Sequence, residues 1–244
     1  MADKVLPPRP KDPKDYSSNW KRLASEQEIA DFLKQKRRDR KRKRPREDST
    51  APPTTPKRTI DDRRSLVRGP YKGKTDSVAI DCEMVGIGHS GKESALARVS
   101  IVNSHGNVLY DTFVAQKEKV TDYRTFVSGV RAKDVRHAPK FDTVQREVAD
   151  LLMGRVVVGH DLRNDFTALM LSHPKSKIRD TAFYKPFQAL NKGNKPSLRR
   201  LAEEFLGITI QRFEHSSVQD AQAAMAVYQL NKTEWERNRK GGLT

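Results

Sequence analysis

The run Val78-Ala79-Ile80-Asp81-Cys82-Glu83-Met84-Val85 decides how the rest of the chain is read. It is short, mostly apolar and carries β-branched residues, the signature of a strand. Side chains of a strand alternate between two faces, so Val78, Ile80, Cys82 and Met84 share an apolar face. Ala79, Asp81, Glu83 and Val85 share the other. Two carboxylates two positions apart thus point the same way from a strand that otherwise favours burial. An ionised carboxylate is costly to bury without a positive partner, and a close pair repels. Either the second face is wet, as in a two-faced antiparallel strand, or a divalent cation with oxygen ligands sits there. Cys82 lies on the packing face and reads as a core residue rather than a nucleophile.

Working outward, Gly86-Ile87-Gly88-His89-Ser90-Gly91 reads as a turn. It lacks the Lys-Ser/Thr of a phosphate loop, and no helix signal follows it. Ser94 to Asn103 and Val108 to Ala115 read as two further strands around the tight turn Ser104-His105-Gly106-Asn107, which makes an antiparallel meander. Residues 116–141 read as irregular. Phe141 to Met153 has helical spacing with Val144, Val148, Leu151 and Leu152 inward, and Arg155 to His160 is an apolar run suited to a parallel strand. The expectation is an α/β fold with a mixed sheet of about five strands, the first three antiparallel.

Two later stretches bear on the carboxylate pair. In a helix from Asp161 to Met170, the residues Leu162, Phe166, Leu169 and Met170 form an inward stripe, and Asp165 falls inside it. A carboxylate in such a stripe needs a cation, donors or a proton. Asp161 reads as the helix cap, and His160 as a packed histidine with catalysis as the alternative. Pro196 to Phe205 reads as a helix with Leu198, Leu201 and Phe205 inward, stopped by Gly207. Farther on, Ser217 reads as the cap of a final helix. Asp220, three residues later, is either a capping-box partner or a site carboxylate near the Met225 and Tyr228 face. His215 stands just outside that helix, where a loop can aim its ring.

Composition sets the partner class. The 244 residues carry a net charge of +17, which suits a polyanion and above all nucleic acid. Residues 1–75 hold 23 Lys and Arg against 11 Asp and Glu, and nine of the 13 prolines. The first 74 residues therefore read as a disordered basic arm, with a short helix near 19–35 that either docks a partner or frays. The dense basic run from Lys34 to Arg46 is a nuclear or nucleolar import signal, a nucleic-acid arm or a solubilising tail. A single cysteine excludes disulfides within the chain and fits a reducing compartment. There is no apolar run of transmembrane length, and the N-terminus lacks the apolar segment of a secretory signal. A globular domain is expected over 75–232 and a basic tail over 233–244.

Together the pieces suggest a centre. Asp81, Glu83, Asp165 and Asp220, meeting at a sheet edge, can hold two Mg²⁺ or Mn²⁺ ions. His215 has the right pKa range to take a proton from an attacking water near neutral pH. The matching substrate for a basic surface is a phosphodiester backbone.

Three segments resemble the DEDDh 3′→5′ exonucleases of the ribonuclease H-like superfamily: Ala79 to Val85, Val158 to Phe166, and Glu214 to Ala221. From about residue 75 to 232 the chain is most similar to the RNA exonuclease 4 group, with Arg179-Asp180-Thr181 and Ser197 to Ala202 adding to the likeness. The resemblance implies a mixed sheet with helices on both faces, Asp81, Glu83, Asp165 and Asp220 as metal ligands, and His215 as general base. It also implies that Met84 contacts the terminal nucleotide. Arg98 and Asn164, each beside a motif, are added here as candidates for phosphate or sugar contacts. The expected activity is a metal-dependent 3′→5′ exoribonuclease in ribosomal RNA processing, in the nucleus and specifically the nucleolus. A DNA exonuclease in repair, or a non-catalytic RNA-binding factor in ribosome assembly, are the alternatives.

Overall fold

The computed structural model describes residues 58–59, 66–211 and 214–240. The helix expected near 19–35 and the basic run from Lys34 to Arg46 lie outside the described residues. In chain order the principal elements are β1 (Ser77–Ile87), β2 (Glu93–Asn103), β3 (Val108–Phe113), β4 (Val120–Asp122), α1 (Thr125–Ser128), α2 (Ala132–Val135) and α3 (Phe141–Leu152). There follow β5 (Val156–Gly159), α4 (Arg163–Ala168), β6 (Ile178–Asp180), α5 (Lys185–Ala189), α6 (Leu198–Leu201) and α7 (Ser217–Lys240). The main sheet runs β3-β2-β1-β5-β6, with the short β4 paired to the far end of β1. The pairs β1–β2 and β2–β3 are antiparallel, and β1–β5 and β5–β6 are parallel. The expected mixed sheet with an antiparallel start is present. Strand β4 and helices α1 and α2 occupy the stretch read as irregular, where no apolar periodicity announced them.

The alternation of β1 builds two cores. Val78, Ile80 and Cys82 pack with Val99, Ile101 and Val157 against Val144, Val148 and Leu152 of α3 and the α4 segment residues Leu162 and Leu169. On the opposite face Ala79, Val102 and Val158 pack against Ala221, Ala224, Met225 and Tyr228 of α7. Helices therefore cover both faces, and the Asp81/Glu83 face lies on the α7 side rather than in open water. The alanines of α7 keep side chains short at the crossing, which lets a helix approach a sheet closely.

Several boundaries differ from the expectation. The domain begins before residue 75: Leu66 is buried, and the Asn103 side chain donates to the carbonyls of Tyr71 and Gly73. At the other end, residues 233–240 continue α7 instead of forming a tail. Trp235 is 3 % exposed and stacks on Tyr184 at 3.9 Å, while Glu236 accepts a two-point contact from Arg179. Replacing Trp235 with Ala should cost about 3–5 kcal/mol of stability, measured by urea unfolding.

The middle helix is also shorter than expected. Met170 lies outside α4 with a left-handed φ of 51° and is 76 % exposed, so it leaves the inward stripe. Asp161 does not cap α4. Asp180, at the end of β6, accepts from the N–H groups of Asp161 and Leu162 at 2.9 and 2.8 Å. A carboxylate from a neighbouring strand thus holds the turn that leads into α4, which has no side-chain cap of its own. Ser217 is the first residue of α7, and its hydroxyl meets Ser100 at 2.6 Å instead of capping. The expected stop at Gly207 is present, with φ 72°, but α6 passes into a wider π turn over Ala202–Leu206 before it.

Candidate active site

Strand β5 ends early. Its last partner on β1 is Ala79, so β1 overruns it from Ile80 and, until β4 pairs at Gly86, leaves main-chain groups on that side without a strand partner. The overrun lies at the C-terminal ends of the parallel strands, where open α/β sheets place ligands. Asp165 fills part of the gap: its Oδ1 accepts the Cys82 N–H at 2.8 Å. Beside it the β1–β2 register slips between Glu83 and Met84, a bulge of the kind that re-aims side chains at functional edges.

Helix α7 supplies the next carboxylate. Ligand atoms of Asp81, Glu83 and Asp220 all lie within 4.8 Å of one another. Asp220 is not spent on capping, since its N–H donates to the Ser216 carbonyl and its Oδ2 accepts from Gln211 Nε2 at 2.8 Å. Asp220 Oδ1 and Glu83 Oε1 are buried without a hydrogen-bond partner among the described residues. Burial of an unpaired carboxylate oxygen is costly, and two in one cluster fit a cation with oxygen ligands.

The electrostatics agree. Burial and then the neighbouring Asp220 push Glu83 up to about 8, with Arg98 opposing. Burial likewise raises Asp165 and Asp220 to about 7, against hydrogen bonds from Cys82 and Gln211 respectively. Asp81 touches the cavity but is otherwise enclosed, and this enclosure together with Asp220, Asp165 and Glu83 raises it well above the usual carboxylate range. All four groups bind protons more tightly when folded than when unfolded. Their contribution therefore favours the folded state at pH below about 4 and is lost as pH rises through about 7–8. In chelator, the melting temperature should rise as pH is lowered from 8.5 to 5.5. Added Mn²⁺ should raise it most at the alkaline end. A flat profile in chelator would contradict the burial and mutual repulsion of these carboxylates.

The cluster opens into a cavity of about 740 Å³, lined also by Met84, Arg124, His160, Asn164 and His215. The structure thus brings together Asp81, Glu83, Asp220, His215, Met84 and Asn164, with Asp165 at the cluster's edge. Burial lowers His215, which leaves its ring neutral near pH 7, and its Nδ1 lies 3.7 Å from Asp220 Oδ2. His160 is held by Thr181 at 2.8 Å, and burial lowers it to about 4.

Arg98 does not line this cavity. It sits opposite Glu83, but its guanidinium is engaged by Asp111 through two 2.8 Å contacts. Its visible part is to temper Glu83. Two residues absent from the sequence reading enter instead. Gln211 orients Asp220. Arg124 takes a left-handed φ of 48° at the start of α1 and reaches Ser94 and the Gly91 carbonyl at 2.9 and 2.8 Å. Both lie in segments without periodicity, so only the tertiary structure finds them.

A family model described as exonuclease (RNase_T) matches residues 78–228. The protein named RNA exonuclease 4 of Mus musculus is 53% identical over 166 residues, covering 68% of this chain and 38% of that protein. Its Homo sapiens counterpart is 52% identical over 177 residues, covering 71% and 42%. The chain thus spans about two fifths of the length of these relatives. Among solved structures, the Saccharomyces cerevisiae Pan2 pseudoubiquitin hydrolase–RNA exonuclease module in complex with AAUUAA RNA superposes with a TM-score of 0.58 at 28% identity, over 71% of this chain and 33% of that one. The Neurospora crassa Pan2 catalytic unit gives 0.57 at 27%, over 71% and 29%.

Proposed function

The chain belongs to the exonuclease family RNase_T, and from that membership we propose that it shortens RNA from the 3′ end at a centre for two divalent cations, Mg²⁺ or Mn²⁺. The observation that carries the reading is the convergence of Asp81, Glu83 and Asp220 with two buried oxygens left unpaired. Asp81, Glu83, Asp165 and Asp220 are the residues that would hold the cations. Bound cations would supply a water acidified at neutral pH and positive charge against the phosphate.

The chain's own residues supply the rest. His215, neutral because of burial, accepts the proton of the attacking water. Gln211 keeps Asp220 oriented. Met84, Asn164 and Arg124 line the cavity and would meet the terminal nucleotide. RNA as substrate is supported by the names of the relatives and by the RNA bound to the Pan2 module. The net charge of +17 suits any polynucleotide.

The reading extends to ribosomal RNA maturation in the nucleolus. Its support is the resemblance to the RNA exonuclease 4 group and the dense basic run from Lys34 to Arg46. A fluorescent fusion should concentrate in nucleoli and lose that location when the run is neutralised. The activity is tested with 5′-labelled single-stranded RNA and Mg²⁺. A ladder shrinking one nucleotide at a time is expected. Immediate release of the labelled 5′ nucleotide, or no shortening, refutes the proposal. Faster trimming of the same sequence as DNA would turn the reading toward DNA.

A further inference from the structure

His215 stands in the loop before α7, and Asp220 Oδ2 is 3.7 Å from its Nδ1, beyond hydrogen-bond length. The main chain is what fixes the residue. The His215 N–H donates to the Val127 carbonyl at 2.7 Å. One residue earlier, Glu214 receives Arg131 at two points, Nη1 to Oε2 at 3.1 Å and Nη2 to Oε1 at 2.5 Å. Arg131 is itself fixed: Nη1 also donates to the Gly129 carbonyl, and its N–H donates to Asp134, both at 2.8 Å. Gly129 has φ +66°, and a Cβ there would stand 3.3 Å from the His215 carbonyl oxygen. The two segments are therefore in close main-chain contact.

The receiving element is stiff. Thr125 Oγ1 donates to the Val130 carbonyl at 2.7 Å, Ser128 Oγ donates to the Tyr123 carbonyl at 2.9 Å, and the Val130 N–H donates to Ser128 Oγ at 3.1 Å. Arg124, Val127 and Ser128 of this same segment line the cavity. One short helical turn thus touches both the space for the RNA end and the loop that carries the base.

We propose that Arg131 and Glu214 are positioning residues that latch the His215 loop onto α1, an inference that rests on the role given above to His215 and deepens it. The two side chains are 48 % and 41 % exposed, so the pair adds little to overall stability. A planar two-point fork nevertheless fixes direction as well as distance. A small bias is enough to hold one loop conformer among several.

The test uses the full chain with ring-¹³C histidine in chelator, comparing R131E, E214R, E214Q and the double swap R131E/E214R. The His215 ring resonance should shift and broaden in each single variant and return in the swap. With Mg²⁺, kcat on RNA should fall roughly fivefold to tenfold in the single variants, with KM unchanged, and recover in the swap. The melting temperature should stay within about 2 °C throughout. An unchanged His215 resonance in R131E and E214R overturns the latch, as does a swap that remains as broad as the single variants. A ring that responds as expected in a protein that never shortens RNA keeps the latch and sinks the exonuclease reading instead.

Discussion

Asp81→Asn is expected to lower the rate of RNA shortening at least about 10³-fold and, in chelator, to raise the melting temperature. The two effects have one cause. Asp81 lies in the three-carboxylate cluster with Glu83 and Asp220, and all three are pushed toward protonation. Losing this carboxylate removes several kcal/mol of charge interaction with a bound cation, which corresponds to roughly 10³-fold in rate. In the metal-free protein the same carboxylate is repelled by its neighbours. Removing it should be worth at least about 1 kcal/mol, or roughly 2–4 °C for a domain of this size. Initial rates on 5′-labelled RNA and thermal melts with and without Mn²⁺ check both halves. Mn²⁺ should then stabilise the variant less than the parent. An active variant would remove Asp81 from the mechanism. An inactive variant that melts lower in chelator would show that the cluster holds the fold together rather than straining it.

His215→Ala should lower kcat by roughly 10²–10⁴-fold while leaving RNA affinity unchanged, because a base acts as the transition state forms. The side chain is 32 % exposed and projects from a loop, so the fold should tolerate its loss. Fluorescence anisotropy with labelled RNA in Ca²⁺ separates binding from turnover. The parent's rate should rise with pH as His215 loses its proton, and burial places that limb below the ordinary 6.5. The alanine variant should lack the limb. Equal losses in binding and turnover would assign His215 to substrate contact instead.

How much of this was legible beforehand depends on where the signal lay. The period-two alternation of β1 gave both core faces, and the order of strands and helices gave the mixed sheet. The three motif segments singled out Asp81, Glu83, Asp165, Asp220 and His215 as candidates, since residue type and local spacing mark such positions. Capping was legible only where it was local. Gly207 was found, whereas the turn into α4 is held by Asp180, nineteen residues beyond Asp161. For Arg98, adjacency to a motif said nothing about Asp111 on the neighbouring strand, which holds its guanidinium. The ends of the packed region were hidden for a related reason. The pair Leu66-Val67 and the lone Trp235 stand in charged surroundings, and only the core that Leu66 and Trp235 enter shows that they belong to the packed region.

The sequence by itself determined which carboxylates exist, which strand carries the first pair and which helices carry the others. Local periodicity and residue chemistry suffice for that. Only the tertiary structure decided that Asp220 serves the cluster rather than a capping box, that Gln211 aims it, and that α1 grips the loop of His215. Each of these outcomes rests on contacts between segments distant in the chain or on a choice among hydrogen-bond partners, and such choices are settled by packing.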